Sequence, residues 1–340
     1  MATWDAVDHY FSGQGNVLLA ERDAGGNPLG FVSVGNVADL KITVSTSSLE
    51  HKESHTGQRG TDLRLTTEIK CALSMTMENF VAENLARVTR GVATTVAGAS
   101  VVAQSVKAYF GKVSALGKIK VSAVAVKIGA TSLTPYVADA TPWDYRVNAD
   151  AGSIQFNDAS GGAALALLGA NGTLALTGIT PGATTTLTGA NTLAVGQRVV
   201  VGGAAGADAA FINGKVMTVV TASAGSVTTD LNTSTKTITG AAAKVFTEGD
   251  AVAVDYTYAN QKVVDGLTTG SKELFMRFEG LNTAEENAPV VVEVFKFSTD
   301  PFKELALIGD TVQSFVLEGS VLADNARLTG SKYFAVTKQN

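Results

Sequence analysis

The chain has 340 residues, of which 45% are hydrophobic and only 17% are charged, and its formal net charge is −5. The acidic balance excludes a global basic field that would gather nucleic acid, and no apolar run reaches the roughly 18–20 residues of a spanning helix. A single cysteine, Cys71, permits no internal disulfide and no multi-cysteine zinc site. The length suggests about two domains. The first residues lack the basic and apolar regions of a signal peptide, which predicts a cytoplasmic destination.

Alternating apolar side chains predict β-strands along most of the chain. The longest alternation runs from Leu63 to Met77 and predicts a strand with one buried and one solvent-exposed face. A strand of this length far exceeds the usual five or six residues, so we expect a protruding hairpin. Shorter alternations predict further strands at Leu40, Ile42 and Val44; at Val252, Val254, Tyr256 and Tyr258; at Leu274, Met276 and Phe278; and at Phe315 and Leu317.

One helix is predicted from about Phe80 to Arg90, with Asn79 as its N-cap and Gly91 in the stop position. Its apolar stripe is expected to pack on a sheet, and a partner-facing role is the alternative. A helix on one side of many strands indicates a mainly-β or α+β protein. The predicted packing residues are Phe80, Val81, Leu85 and Val88.

The middle of the chain differs sharply in charge from the rest. Only six charged residues, three acidic and three basic, occur between positions 151 and 243. This contrast predicts an inserted outer domain at 158–245, within a discontinuous domain formed by 1–157 and 246–340. Short Val, Thr and Leu runs separated by Gly are typical of a small all-β, Ig-like domain. A disordered linker is the alternative, which the alternation of Val216, Thr218 and Val220 disfavours.

Few residue patterns point to chemistry. His51, Glu53 and His55 would share one face of a strand, but Lys52 stands where the helical HExxH motif needs Glu, so a charged hairpin tip is the preferred interpretation. The segment 266–272 is one residue short of a phosphate-binding loop and precedes a strand. A β-rich glycosidase would need paired carboxylates in a cleft lined by aromatic side chains. The sequence contains only two Trp residues, which disfavours this function. We therefore expect no enzyme, no cofactor and no metal site.

The string GNVLLAERDAGGNPLGFVSVGNVADLKITVSTSSLEHKESHTGQRGTDLRL begins at Gly15, and ENFVAENLARVTRG follows the long strand. The order of these motifs resembles the tail tube proteins of long, non-contractile-tailed bacteriophages. The resemblance covers roughly 1–157 and 246–340 and leaves out the low-charge segment. Further matching stretches are a middle hairpin at 144–154, its continuation at 249–258, and closing motifs at 278–284, 301–302 and 331–334.

This resemblance implies a two-sheet β-sandwich or barrel with one flanking α-helix, plus the inserted small all-β domain. It further implies hexameric rings that stack into a hollow tube, through which phage DNA is ejected into the host. The implied partners are copies of the chain itself, a tape-measure protein and tail-end proteins, with double-stranded DNA passing unbound and no membrane involved. The chain would assemble in the host cytoplasm and end in the virion tail, with acidic or neutral side chains lining the bore.

A ring-stacking loop is expected at Leu49–Thr61, where the family places one and where the sequence is mixed in charge and punctuated by Gly; a plain solvated loop is the alternative. A cell-surface adhesin or surface-layer β protein is a competing function that the Thr- and Gly-rich segment would support, although the missing signal peptide disfavours it. The inserted domain would be adhesive or an inert decoration. The stacking candidates are Glu50, His51, Lys52, Glu53 and Arg59.

Overall fold

A computed structural model describes residues 10–55, 57–139, 141–160 and 162–339. Within these residues the chain is mainly β, with a single α-helix, so the predicted mainly-β class is confirmed. No described helix is long and apolar enough to cross a membrane. The first elements are β1 Gly13–Glu21, β2 Val32–Ser33, β3 Val37–Lys52, β4 Thr61–Met77, α1 Ala82–Val88, β5 Val92–Val96, β6 Ala99–Lys107, β7 Val113–Ala115, β8 Val121–Ile128, β9 Thr131–Ser132, β10 Tyr145–Asn148 and β11 Ser153–Phe156.

The remaining strands begin inside the low-charge segment and continue to the end of the described chain. Two short 3-10 helices, Gly169–Asn171 and Ala209–Phe211, lie among them. The strands are β12 Leu174–Ala175, β13 Gly178–Thr180, β14 Thr185–Thr188, β15 Arg198–Gly202, β16 Val216–Ser223, β17 Ser226–Thr229, β18 Lys244–Thr247, β19 Ala251–Tyr258, β20 Gln261–Asp265, β21 Glu273–Asn282, β22 Ala288–Thr299, β23 Phe315–Val321 and β24 Phe334–Lys338.

The chain divides into two compact units. Unit 1 comprises the described residues of Met1–Thr95 and Lys262–Asn340, and unit 2 is Val96–Gln261. These boundaries differ from the sequence-based ones at 157/158 and 245/246. The physical reason is a shared core, because strands on both sides of the low-charge segment bury their side chains together with side chains from inside it.

Unit 1 contains an eight-stranded antiparallel sheet in the order β2-β1-β21-β22-β23-β4-β3, with β24 added to β22, and a two-stranded pair of β5 and β20. The predicted strands at 274–278 and 315–317 are confirmed. The alternation is observed at 315–317, whereas in β21 Phe275 is buried together with Leu274 and Met276, and Phe278 is half-buried. The main core of this unit consists of Val17, Leu19, Val34, Cys71, Leu73, Met75, Met77, Val88, Leu274, Met276, Val294, Phe297, Phe315, Leu317 and Val321.

Helix α1 is shorter than the sequence pattern predicted. Val81, not Asn79, holds the N-cap position, and no side chain caps it. Instead the buried Asn84 donates hydrogen bonds from its amide to the carbonyls of Val34 (2.8 Å) and Asn79 (3.1 Å), which keeps the preceding residues outside the helix. Of the four predicted packing residues, Val88 is buried, Leu85 is half-buried, and Phe80 and Val81 are exposed.

Unit 2 includes a folded all-β region built from the low-charge segment. Strands β12–β18 form one seven-stranded antiparallel sheet in the order β12-β18-β15-β16-β17-β14-β13. The buried face of β16 is offset by one residue from the predicted alternation, since Met217 and Val219 are buried while Val220 is exposed. The register explains this offset, because Met217 pairs with the buried Val199 of β15 and directly opposite residues share a face.

A second core of unit 2 joins the flanking strands to the low-charge segment. The sheet β6-β19-β8-β9 and the sheet β10-β11-β7 contribute most of its residues. The predicted middle hairpin is present as β10–β11, whereas its expected continuation, β19, lies in the other sheet. The largest side chains of this core include Phe110, Phe156, Phe246 and Tyr256, and the low-charge segment supplies Leu165, Leu168 and Val200.

These boundaries predict that two deletions behave differently. Removing 161–243 takes away the two buried leucines and the valine that complete the second core, at about 2–5 kcal/mol for each leucine, so we expect an insoluble or strongly destabilised chain. Removing 98–259 and inserting two glycines deletes unit 2 nearly whole, and unit 1 is expected to keep its core and to unfold cooperatively. Thermal unfolding followed by circular dichroism compares the two variants. A stable 161–243 deletion would contradict the shared core.

Candidate self-assembly surface

The hairpin of β3 and β4 extends well beyond the core of unit 1. In β4 the residues from Cys71 to Met77 alternate between buried and more accessible positions, whereas every residue of 61–70 is exposed. We define the outer arm as residues 45–52 and 61–70. At about 3.3 Å per residue the ten residues of β4 in this arm extend roughly 33 Å. The predicted protruding hairpin is thus present, but the prediction of one buried face along all of β4 is wrong for the outer arm of the single chain.

A β-bulge in β4 reverses the faces to which the side chains of the outer arm point. Ser47 pairs with Glu68 but Ser48 pairs with Thr66, so Thr67 is an extra residue on β4. One inserted residue moves every following side chain of that strand to the opposite face. As a result Leu65 no longer shares a face with Cys71, although both belong to the same sequence alternation.

The bulge gathers three exposed leucines on one side of the outer arm. Leu49 lies directly opposite Leu65, and His51 lies opposite Leu63, so their side chains share a face. The residues Leu49, Leu63 and Leu65 are 60%, 50% and 50% exposed. We define these three residues as the leucine face. Clustered apolar side chains on a protruding element are typical of a surface that binds another protein.

Beyond the bulge, the side of the outer arm opposite the leucine face is polar. Glu50 lies opposite Arg64, and the Glu50 Oε1 to Arg64 Nε distance is 3.8 Å. Arg64 Nε also donates a hydrogen bond to Ser48 Oγ at 3.1 Å. Beyond the bulge, the outer arm is therefore two-sided, with leucines on one face and a solvated charge pair on the other. Between the bulge and the core the sides differ, since the exposed Ile69 lies on the side of Arg64 and the Glu68–Lys70 ion pair lies on the side of the leucines.

The β3 edge of the eight-stranded sheet is open. Strand β3 stands last in the strand order, so one side of its main chain has no hydrogen-bonding neighbour among the described residues. Residues 42–49 of this edge contain no charged side chain and no proline. Charges and proline are the usual protection of an edge strand against pairing with another chain. An uncharged edge beside an apolar face can accept a second copy.

The five stacking candidates lie in or beside the connection between β3 and β4, which is shorter than expected. Glu50, His51 and Lys52 belong to β3, so the connection between the strands is 53–60 and not 49–61. Thr56 lies outside the described residues. His51 Nδ1 is 2.7 Å from Asp62 Oδ1, and the Glu53 carboxylate accepts a hydrogen bond from the main chain at the tip. The fifth candidate, Arg59, has a left-handed backbone with φ 52°.

Two chemical motifs were weighed from the sequence, the group His51, Glu53 and His55 and the segment 266–272. In the described part of the chain, no three His, Cys, Asp or Glu side chains are placed to hold a metal ion. The segment 266–272 is a turn before β21, where Leu267 and Thr269 donate main-chain hydrogen bonds to the carbonyls of Thr89 and Arg90.

Reversing the charge of Glu50 and Glu53 tests the stacking role of the tip. The double substitution Glu50→Lys/Glu53→Lys should leave the unfolding free energy of the single chain within about 0.5 kcal/mol, because exposed ion pairs contribute little. Assembled material, in contrast, should become shorter and dissociate at lower salt. Particle lengths in electron micrographs over a salt series measure this effect. Unchanged lengths and unchanged salt resistance would remove the tip from the stacking contact.

A comparison with models of known protein families finds one match. The model of a family described as a protein of unknown function, UCP028589, matches residues 10–202 and again residues 169–337. The chain belongs to this family. The two matches to the UCP028589 family overlap at 169–202, and together they include the outer arm, its tip and most of both units. A comparison with curated proteins finds no match.

Proposed function

We propose that the chain is a structural virion protein that assembles with copies of itself, as the tail tube protein of a long, non-contractile-tailed bacteriophage. The observation that carries this proposal is the outer arm, whose leucine face is exposed in the single chain beside an open, uncharged strand edge. When copies of a chain bind head to tail and the rotation between neighbours brings the last copy back to the first, they form a closed ring. A second kind of contact, which repeats without closing, stacks such rings into a filament. The arm offers two different faces for two such contacts.

The finer features of this proposal follow the family resemblance. They are a two-sheet sandwich with a flanking helix, an Ig-like inserted domain, six copies in a ring, and a hollow tube that delivers phage DNA into the host. The protein has no enzymatic role in this proposal. Its partners are its own copies, a tape-measure protein inside the tube and proteins at the tail ends. It assembles in the host cytoplasm and remains in the virion tail.

The charge distribution supports a conduit for DNA. Contacts from Lys and Arg bind duplex DNA by releasing counterions, so a strongly basic bore would hold the genome back. The six charges of residues 151–243 cancel one another, and the net charge of −5 therefore belongs to the rest of the chain. We expect acidic or neutral side chains to line the bore.

Negative-stain electron microscopy of the purified chain tests the proposal. Hollow tubes or six-fold rings over a range of salt and protein concentrations are the expected result. Persistent monomers under all these conditions would overturn it. Because both strands of the outer arm belong to unit 1, the chain lacking 98–259 is expected to form the same rings. Fractionation separates the competing function, since an adhesin would be found on the cell surface and not in virions.

A further inference from the structure

A small charged cavity opens in unit 1 beside the end of helix α1. Its volume is about 230 Å³, below the roughly 300–1,000 Å³ of pockets that hold drug-sized ligands, so its size suits an ion or a single side chain. Five charged residues line it together with small and apolar ones. They are Glu21, Glu83, Arg87, Arg90 and Lys272.

Both carboxylates at this cavity already have a lysine partner. Glu21 Oε1 is 3.0 Å from Lys272 Nζ, and the Glu83 carboxylate pairs with Lys262. Within the described residues Arg87 has no carboxylate oxygen within 4.0 Å, and its Nη1 donates its hydrogen bond to the neutral Asn84 side chain at 2.9 Å. The positive charge of Arg87 is therefore not directly paired.

Arg90 has a buried donor without an acceptor. Its Nε has no hydrogen-bond partner in the described part of the structure, while its Nη2 donates to the Thr299 carbonyl and lies 3.8 Å from Asp300 Oδ1. Buried polar groups are nearly always hydrogen-bonded, and an unpaired donor on a charged group is especially unfavourable. The Nε–H group of Arg90 is therefore a donor that no described protein group uses.

The backbone and the burial of these residues point the same way. Arg90 has a left-handed φ of 48° at the end of α1, a position that glycine usually occupies because a side chain is strained there. Burial lowers the pKa of Arg87 from its ordinary value, although the nearby Glu83 and Glu21 act in the opposite direction.

We propose that this cavity is an oxyanion site, in which the guanidinium groups of Arg87 and Arg90 hold the oxygens of one phosphate or carboxylate group. The planar guanidinium binds such groups through two parallel hydrogen bonds. The oxyanion comes either from free phosphate or from an acidic side chain of a second copy. The site does not rest on the proposed function, because no residue of the outer arm lines it.

Titration of the full chain with inorganic phosphate at constant ionic strength tests the first source. The wild type should give a saturable heat, and Arg87→Gln and Arg90→Gln should each weaken binding at least tenfold. Arg87→Lys keeps the charge but cannot make the two parallel hydrogen bonds of a guanidinium, so it should bind more weakly than wild type and more tightly than Arg87→Gln. The matched control Arg146→Gln removes an exposed arginine of unit 2 and should change nothing. Melting temperatures verify that each variant is folded.

Sedimentation velocity tests the second source. The second source is indicated by two results together. The wild type binds no phosphate, and the self-association constant of each glutamine variant is at least tenfold below that of the wild type. Phosphate heat that is equal in wild type and glutamine variants would overturn the site. The absence of both phosphate heat and an association defect would also overturn it. A chain that stays monomeric throughout would refute tube assembly, and the phosphate titration alone would then decide this site.

Discussion

Leu65→Glu is expected to raise the concentration needed for assembly by about 30- to 1,000-fold. Half of the Leu65 side chain is exposed in the single chain, and burying that half in a contact contributes about 1 kcal/mol. Placing a carboxylate in an apolar contact costs roughly a further 1–3 kcal/mol. Each 1.4 kcal/mol corresponds to about a tenfold change in affinity, so together these terms give the expected range.

The neighbouring residue provides a matched control. Thr66 lies next to Leu65 in β4 but on the opposite, polar face of the outer arm, so Thr66→Glu adds the same charge at nearly the same place. Both variants should melt within a few degrees of wild type, because both side chains are exposed. Light scattering over a concentration series measures assembly. An equal defect in both variants would show that the leucine face is not the contact.

Asp144→Ala is expected to lower the unfolding free energy of unit 2 by about 3 kcal/mol. The Asp144 side chain is fully buried, just before β10. Its two oxygens accept main-chain hydrogen bonds from Thr134 (2.9 Å), Leu167 (3.0 Å) and Leu168 (2.9 Å). Alanine leaves these donors without an acceptor, at about 1–3 kcal/mol for each buried one. Removing a buried charge offsets part of that loss.

Denaturant unfolding measures the effect of Asp144→Ala, with Asp139→Ala as the control. Asp139 is exposed and accepts one hydrogen bond from the Tyr136 hydroxyl, so its removal should leave the midpoint unchanged. An Asp144→Ala midpoint equal to wild type would mean that the three main-chain donors find other acceptors.

The sign of the pH dependence is a second test at the same residue. Burial raises the pKa of Asp144 above its ordinary value of 3.8, although main-chain hydrogen bonds act against this. The folded chain therefore binds the proton more tightly than the unfolded chain. The stability that comes from protonating Asp144 is fully present at a pH below the pKa of this residue in the unfolded chain. It is lost as the pH rises through the pKa of Asp144 in the folded chain. Wild type should thus lose stability relative to Asp144→Asn as pH rises above about 4.

Strand positions in this protein could be predicted from the sequence wherever one face is buried. Val252 and Val254, like Phe315 and Leu317, alternate in sequence and are buried in the structure. A single buried face imposes a period of two, and that period is visible in one strand alone.

The leucine face could not be predicted, because it depends on pairing between two strands. The sequence from Leu63 to Met77 alternates without interruption, and nothing in it marks Thr67 as a bulge. Only the register against β3 shows that Ser47 and Ser48 are opposed by residues two positions apart. The alternation therefore predicted a common face for residues that the bulge separates.

The oxyanion cavity escaped prediction for a related reason. In the sequence, Arg87 and Arg90 are ordinary positive charges at the end of a helix, where the helix dipole favours them, and Lys272 belongs to an incomplete phosphate motif. The two arginines and this lysine come together only in the folded chain, because about 180 residues separate the end of the helix from β21. Pairing of β1 with β21 then brings Glu21 opposite Leu274, next to this lysine.

The uncharged edge of β3 also has a consequence for production of the chain. Residues 42–49 combine an open main chain with no charge and no proline, a composition that favours uncontrolled sheet growth when chains are crowded. Asp39 and Lys41 at one end, and Glu50 and Lys52 at the other, are the only charges that flank this stretch in β3. The ordered assembly of copies into closed rings therefore competes kinetically with amyloid-like pairing of β3 edges. Slow expression at low concentration should favour the rings.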